Sequence, residues 1–326
     1  MQLVLIVDGD VTERDPRELE ELLARDDGVV WVDMVAGSEE TRTVLSDVFG
    51  ARPSAIHECE YPGLVPRVRR YADHILIELH APAVGPDGLV DGVAMNQFVS
   101  RRYVVTVHEL REGIAPEDMV RDTATVLRRL KEGRAQAGSA AQLAHAVATA
   151  VVDNMELRVR ELSDRVVKLE REILHGRKRQ DERHLESMFR ARHELVTVQT
   201  MATHNRAALE RLTRMAVDLL PDSLAHVEDA ADQFARVQSM CAAERDFLQE
   251  LLDLYQTRAT DSINVAMERL ALISAVALPI TAVASVYGMN TIVNAHTRPV
   301  QLVLSLVSMS VLTAAMLIWA RRQGWW

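Results

Sequence analysis

The sequence predicts an α/β cytoplasmic domain, long stalk helices after it, and a two-helix transmembrane hairpin at its C-terminal end. Three observations carry that prediction. No Asp, Glu, Lys or Arg occurs from Leu270 to Thr297, nor from Pro299 to Ala320. Ser223 to Tyr287 contains no glycine, and its only proline is Pro279. Short β-type segments bounded by turn residues fall within residues 1–115.

Composition narrows the function classes. Among 326 residues, 37 Lys and Arg face 47 Asp and Glu, a formal charge of −10. That balance argues against nucleic acid as a partner, because phosphate backbones call for a basic surface. The two cysteines, Cys59 and Cys241, stand too far apart in sequence to suggest a disulfide framework or a Cys-rich zinc site. With 14 Gly and 10 Pro the chain is not of low complexity. No nucleophile constellation, paired catalytic carboxylates or Gly-rich phosphate loop stands out, so an enzyme is not expected.

In chain order, residues 1–115 read as the α/β cytoplasmic domain. Expected strands are Leu3–Val7, Val29–Met34, Ile75–Leu79, Val93–Ser100 and Tyr103–Val107. Arg101-Arg102 joins the last two as a hairpin. Expected helices are Pro16–Ala24 and Glu39–Phe49, the latter capped by Ser38. Gly85-Pro86-Asp87-Gly88 is a turn signal. His57-Glu58-Cys59 reads as extended, with His57 and Cys59 on one face and Glu58 on the other. Two ligands are too few for structural zinc.

Residues 116–222 read as antiparallel cytoplasmic helices. Val152, Met155, Val159, Leu162, Val166, Leu169 and Ile173 recur at helical spacing, Gly176 breaks the pattern, and a second helix is expected over Asp181–Leu219. Residues 223–290 then read as one stalk helix continuing into the first span. Over Ser223–Tyr287 it would be roughly 95 Å long at about 1.5 Å per residue. A bilayer core needs roughly 20 apolar residues of helix. Leu270–Tyr287 and Val300–Ala320 supply two spans around an external loop, 291–299. Leu3–Val7 is too short for a signal h-region, so the first span is expected to follow a cytoplasmic part. Arg321 and Arg322, in the tail 321–326 with Trp325 and Trp326, favour both termini in the cytoplasm.

Along the stalk and first span, Asn264, Met267, Ala271, Ser274, Leu278, Thr281 and Ser285 recur at steps of three and four. This face is mostly small or polar. Two readings fit it: a helix–helix interface, or the lining of a pore, which a single hairpin cannot enclose and which therefore needs an oligomer.

The first span ends in Tyr287-Gly288-Met289-Asn290. A Gly-Met-Asn tripeptide after a very long helix, at the first of two C-terminal spans, resembles the signature of the CorA family of magnesium transporters. Leu251-Leu252-Asp253-Leu254-Tyr255, the Asn264 segment and Leu278-Pro279-Ile280-Thr281 resemble its stalk and first span. Trp31-Val32-Asp33, His57-Glu58-Cys59 and Pro66-Arg67-Val68 resemble its cytoplasmic domain. The resemblance covers nearly the whole chain.

It implies a funnel-shaped homopentamer in the cytoplasmic membrane, with membrane lipid and metal ions as its other partners. Mg²⁺ would be both transported and regulatory, and Co²⁺ and Ni²⁺ are further candidate cargoes. Gly288, Met289 and Asn290 would form the selectivity filter. Asp253, Asn264 and Thr281 match polar pore positions, and Met267, Leu270 and Leu278 match apolar constrictions. Glu58 and Asp229 match carboxylates that bind regulatory Mg²⁺ between subunits, holding the pore shut at high cytoplasmic Mg²⁺. The external loop departs from the family: Thr291 to Pro299 has no acidic residue and carries His296 and Arg298. Two alternatives remain open, a ZntB-like zinc transporter and a transport-inactive membrane scaffold or regulator.

Overall fold

The computed structural model describes residues 1–25, 27–175, 181–215, 223–288, 292–293, 296–297 and 299–322. These residues form two compact units, Met1–Glu250 and Leu251–Trp326.

The first unit begins with strands β1 (Gln2–Val7) and β2 (Asp10–Arg14). A 3-10 turn, Pro16–Glu18, then leads into α1 (Leu19–Ala24). Asp15 starts that turn by accepting from Arg17 N at 2.9 Å, with Glu18 completing the capping box. β3 (Val29–Val35) precedes α2 (Glu39–Thr43), which Ser38 caps by accepting from Thr41 N at 3.0 Å. A π-type segment, Val44–Val48, prolongs α2, and α3 (Pro53–Glu60) follows with Pro53 in its first turn. Then come β4 (Val68–Arg70), β5 (Ile75–Val84), β6 (Val90–Val99) and β7 (Tyr103–His108).

Among the described residues these seven strands make one mixed sheet, ordered β2-β1-β3-β7-β6-β5-β4. Only β3 and β7 run parallel, with Trp31 opposite Val104 and Asp33 opposite Thr106. β5 and β6 pair over their full lengths, from Ile75 opposite Val99 to Val84 opposite Val90. Their connection is the expected Gly85–Gly88 turn, where Gly88 takes φ +76°.

Side chains alternate across this sheet. Leu3, Leu5, Val30, Val32, Leu76, Phe98 and Val105 face one way, against Leu22, Leu45, Phe49, Ala55 and Cys59 from the helices α1 to α3. Each large apolar side chain buried there contributes about 1.5–3 kcal/mol. The other face carries the later helices: α4 (Pro116–Met119), α5 (Arg121–Lys131), α6 (Ala140–His175) and α7 (Asp181–Thr213).

Specific polar bonds set the helices on the strands. Asn205 of α7 accepts from His80 N at 2.9 Å and donates to His80 O at 2.8 Å. Asn154 of α6 donates to Pro82 O at 3.2 Å. α6 and α7 pack together through their apolar stripes, including Met155, Val159, Leu162, Met188 and Leu195. Arg165 clamps the buried Glu194 across that pair through two bonds, at 3.1 and 2.7 Å.

α8 (Leu224–Gly288) starts in the first unit and continues into the second. The second unit also contains β8 (Ile292–Val293), β9 (His296–Thr297) and α9 (Pro299–Arg322). β8 and β9 pair antiparallel. α9 is helical over the residues expected as the second span, and α8 over those expected as the stalk and first span.

The extended reading of His57-Glu58-Cys59 is corrected. Pro53 pre-sets the backbone for a helix, and the segment is α3. Helical periodicity separates the two residues that an extended chain would put together: Cys59 is buried in the core while His57 is exposed against Tyr61.

Candidate functional site

α8 carries a row of positions that leads into and through its apolar stretch. Asn264, Met267, Leu270, Leu278 and Thr281 are all exposed, Leu270 at 65% and Leu278 at 69%. Such large apolar exposure is untenable in water and fits lipid or a partner helix. Exposed Val303, Leu304, Val307 and Val311 repeat the pattern on α9. Leu224–Ser285 of α8 contains an 18-residue stretch apolar enough to cross a membrane, and none of that stretch is buried within the chain.

The hydroxyls of this helix bond inward to its own backbone. Thr257 donates to Asp253 O at 2.9 Å and Thr260 to Gln256 O at 3.0 Å. Ser274 donates to Leu270 O at 2.9 Å and Thr281 to Ala277 O at 2.8 Å. Pro279 lies inside the helix and has no N–H to give the turn before it. Of the expected filter, Gly288 is the last residue of α8, and Met289 and Asn290 lie outside the described residues.

Glu58 and Asp229 both lie in the first unit, in different surroundings. Glu58 on α3 sits 2.5 Å from Arg69 and 3.8 Å from Arg67, so its charge is already compensated. Asp229 on α8 is exposed and accepts from His145 Nε2 of α6 and from Gln233 Nε2, both at 2.7 Å. The bond from His145 does most to hold the Asp229 carboxyl below the usual carboxylate range, and that from Gln233 assists. Asp229 is therefore an anion across the physiological range.

Sequence reasoning found neither His145 nor Arg69. His145 is 84 residues from its partner, and no spacing rule links residues on two separate helices. Among the described residues, no group of three or more His, Cys, Asp or Glu could hold a metal. A hydrated Mg²⁺ needs fewer, since it keeps several waters and binds through one or two carboxylates.

A second polar cluster lies inside the first unit. His108 Nε2 is 2.9 Å from Asp33 Oδ1 and 3.1 Å from Thr123 Oγ1, and Trp31 donates to Thr106 Oγ1 at 3.1 Å. A hydroxyl, an imidazole and a carboxylate in a row suggest a nucleophile and its base, but His108 and Thr123 are each 1% exposed. With no access for a substrate, the row fixes α5 to β3 and β7. Beside it, Asp122 is buried at 4% exposure and accepts from Asn154 Nδ2 at 3.1 Å. Burial pushes its carboxyl up to about 7, against the bond from Asn154. Burial likewise pushes the Cys241 thiol up to about 12 and raises that of Cys59. Neither is a reactive thiolate.

Residues 26–322 match the family described as CorA-like Mg2+ transporter protein. YfjQ of Bacillus subtilis (strain 168) is 25% identical over 302 residues, which cover 90% of this chain and 89% of that protein. The cobalt/magnesium transport protein CorA of Thermotoga maritima is 24% identical over 149 residues, 45% of this chain and 42% of its own length. The complete structure of the CorA magnesium transporter from Methanocaldococcus jannaschii superimposes with a TM-score of 0.81, over 100% of this chain and 99% of that one, at 17% identity. At that identity the likeness speaks for the fold alone.

Proposed function

Because the chain belongs to the CorA-like Mg2+ transporter family, a family of divalent metal ion transporters and not of enzymes, we propose that it is a homopentameric Mg²⁺ channel of the cytoplasmic membrane. Five copies of α8 surround one pore, both termini lie in the cytoplasm, and cytoplasmic Mg²⁺ closes the path. Co²⁺ and Ni²⁺ are further candidate cargoes. The observation that carries this reading is the helix α8 itself. Its charge-free stretch exposes Leu270, Leu278 and Thr281, and it ends at the Gly288 of the Gly-Met-Asn tripeptide.

The chemistry supports a hydrated ion. Stripping Mg²⁺ of its waters is costly, so a pore for it does best by binding the hydration shell. Asn290 side-chain oxygens, five to a ring with Gly288 and Met289, would accept from those waters. Asp253 would gather cations below, Asn264 and Thr281 would offer neutral oxygens, and Met267, Leu270 and Leu278 would gate by excluding water. No ring of fixed charge interrupts the span, because the ion brings its own water.

Closure follows from the carboxylates. Asp229 is exposed and held ionised, which suits a ligand contributed to a metal shared between subunits. Glu58 suits it less, since a metal must first displace Arg69. Bound Mg²⁺ would stabilise the closed ring, and its loss would release repulsion and favour opening.

The test is Mg²⁺ uptake into liposomes holding the purified protein, with Zn²⁺ and a pH gradient as parallel arms. Voltage-sensitive Mg²⁺ flux that ignores the pH gradient and vanishes in Asn290→Ala is the expected result. Proton-driven Zn²⁺ flux without Mg²⁺ flux would replace magnesium by zinc, and no flux of either ion would leave a scaffold.

A further inference from the structure

A cleft of about 430 Å³ opens between α5, the α5–α6 connection, α6 and the start of α8. Small-molecule pockets span roughly 300–1,000 Å³, so its size suits a compact metabolite. Its polar walls are formed by Arg129 and Arg134, which only donate, with His145 and His226, Gln142 and Thr149. No carboxylate is among the described residues that line it. His145 and His226 face each other there with ring centroids 5.2 Å apart. Thr149 Oγ1 is buried without a hydrogen-bond partner, a state that costs free energy until something fills it.

From these walls we infer that the cleft binds a small phosphate-bearing anion with two or more charged oxygens. The two guanidiniums are the main argument. Arg129 bonds Asp153 at 2.6 Å through Nη1, and Arg134 bonds Glu132 through Nε and Nη2. A guanidinium has five N–H donors, so each pairing leaves further donors for a ligand. Both pairs are solvent-accessible and cost little to loosen or share. Planar guanidiniums match phosphate oxygens two at a time, which a lone lysine cannot do. Thr149 and Gln142 supply neutral donors between the cationic ends.

The site goes beyond ion permeation. His145 stands in its wall and also holds Asp229, so the ligand sits beside the carboxylate that the transport reading assigns to Mg²⁺ sensing. That link rests on the transport reading, whereas the binding itself does not.

Calorimetric titration of the full-length protein in detergent, dialysed free of Mg²⁺, tests the binding with pyrophosphate as the probe. One saturable event per chain is expected. Affinity should fall at least tenfold in Arg134→Gln and in Arg129→Gln, each with an unchanged melting temperature. Thr149→Val removes one hydroxyl at constant shape and should weaken binding severalfold. ADP in a second arm should bind through the same residues. No saturable binding, equal affinity in all three variants, or binding of citrate in place of pyrophosphate would each overturn the assignment.

Discussion

Asp122 shows how one buried carboxyl shapes the stability of the first unit. Its carboxyl is raised from an ordinary 3.8 to about 7, chiefly by burial. Between those values the folded chain holds a proton that the unfolded chain releases. Its contribution to stability is therefore full below about pH 4 and is lost as pH rises through about 7. Asp122→Asn keeps an acceptor for Asn154 Nδ2 and removes the charge. It should flatten this slope and stabilise the protein at pH 8 by on the order of 2–4 kcal/mol. Thermal unfolding at pH 5 and pH 8 measures this, and an unaltered slope would mean that Asp122 is ionised inside the fold. Asp229 has the opposite sign, since its carboxyl is lowered and exposed. Its task is charge presentation. Asp229→Ala should leave liposome Mg²⁺ flux intact while shut-off by Mg²⁺ on the cytoplasmic face weakens severalfold. Unchanged inhibition would remove Asp229 from the sensor.

At the scale of elements, α8 and α3 behave differently as objects of prediction. α8 was legible because its signals are local and redundant: sixty-odd residues with no glycine, then a charge-free stretch. α6 and α7 were legible from apolar spacing, although α6 starts at Ala140, ahead of the first clear stripe residue. The strands β1, β3, β5, β6 and β7 were legible from their β-branched runs. β2 and β4 are edge strands, short and rich in charge, so their sequences resemble loops. α3 was missed because its eight residues give barely two turns of periodicity and only Ala55 and Cys59 are buried. The candidate pore positions came from spacing and resemblance together, whereas the contacts of Glu58 and Asp229 depend on tertiary packing that no local pattern encodes. For α8 a specific outcome follows. Leu278→Asn makes the proposed constriction wettable, so resting Mg²⁺ flux should rise severalfold in the liposome assay. A flux equal to the parent's would move the constriction elsewhere.

At the scale of the molecule, one hairpin encloses nothing, so a pore needs an oligomer, and its proposed number of five follows from the family resemblance. Native mass spectrometry of the protein in detergent should give a single species of five times the chain mass, and a monomer or dimer would end the pore reading. The inward-bonded hydroxyls of α8 acquire a meaning in such a ring. Thr257, Thr260, Ser274 and Thr281 have each committed their one hydrogen to a backbone carbonyl. What each has left for a passing ion is lone pairs. A hydrated cation turns its water hydrogens outward and finds acceptors waiting. A hydrated anion turns water oxygens outward and finds no hydroxyl hydrogen left to donate. These hydroxyls can thus tell the sign of a wet ion through the orientation of that ion's water, without any charge of their own.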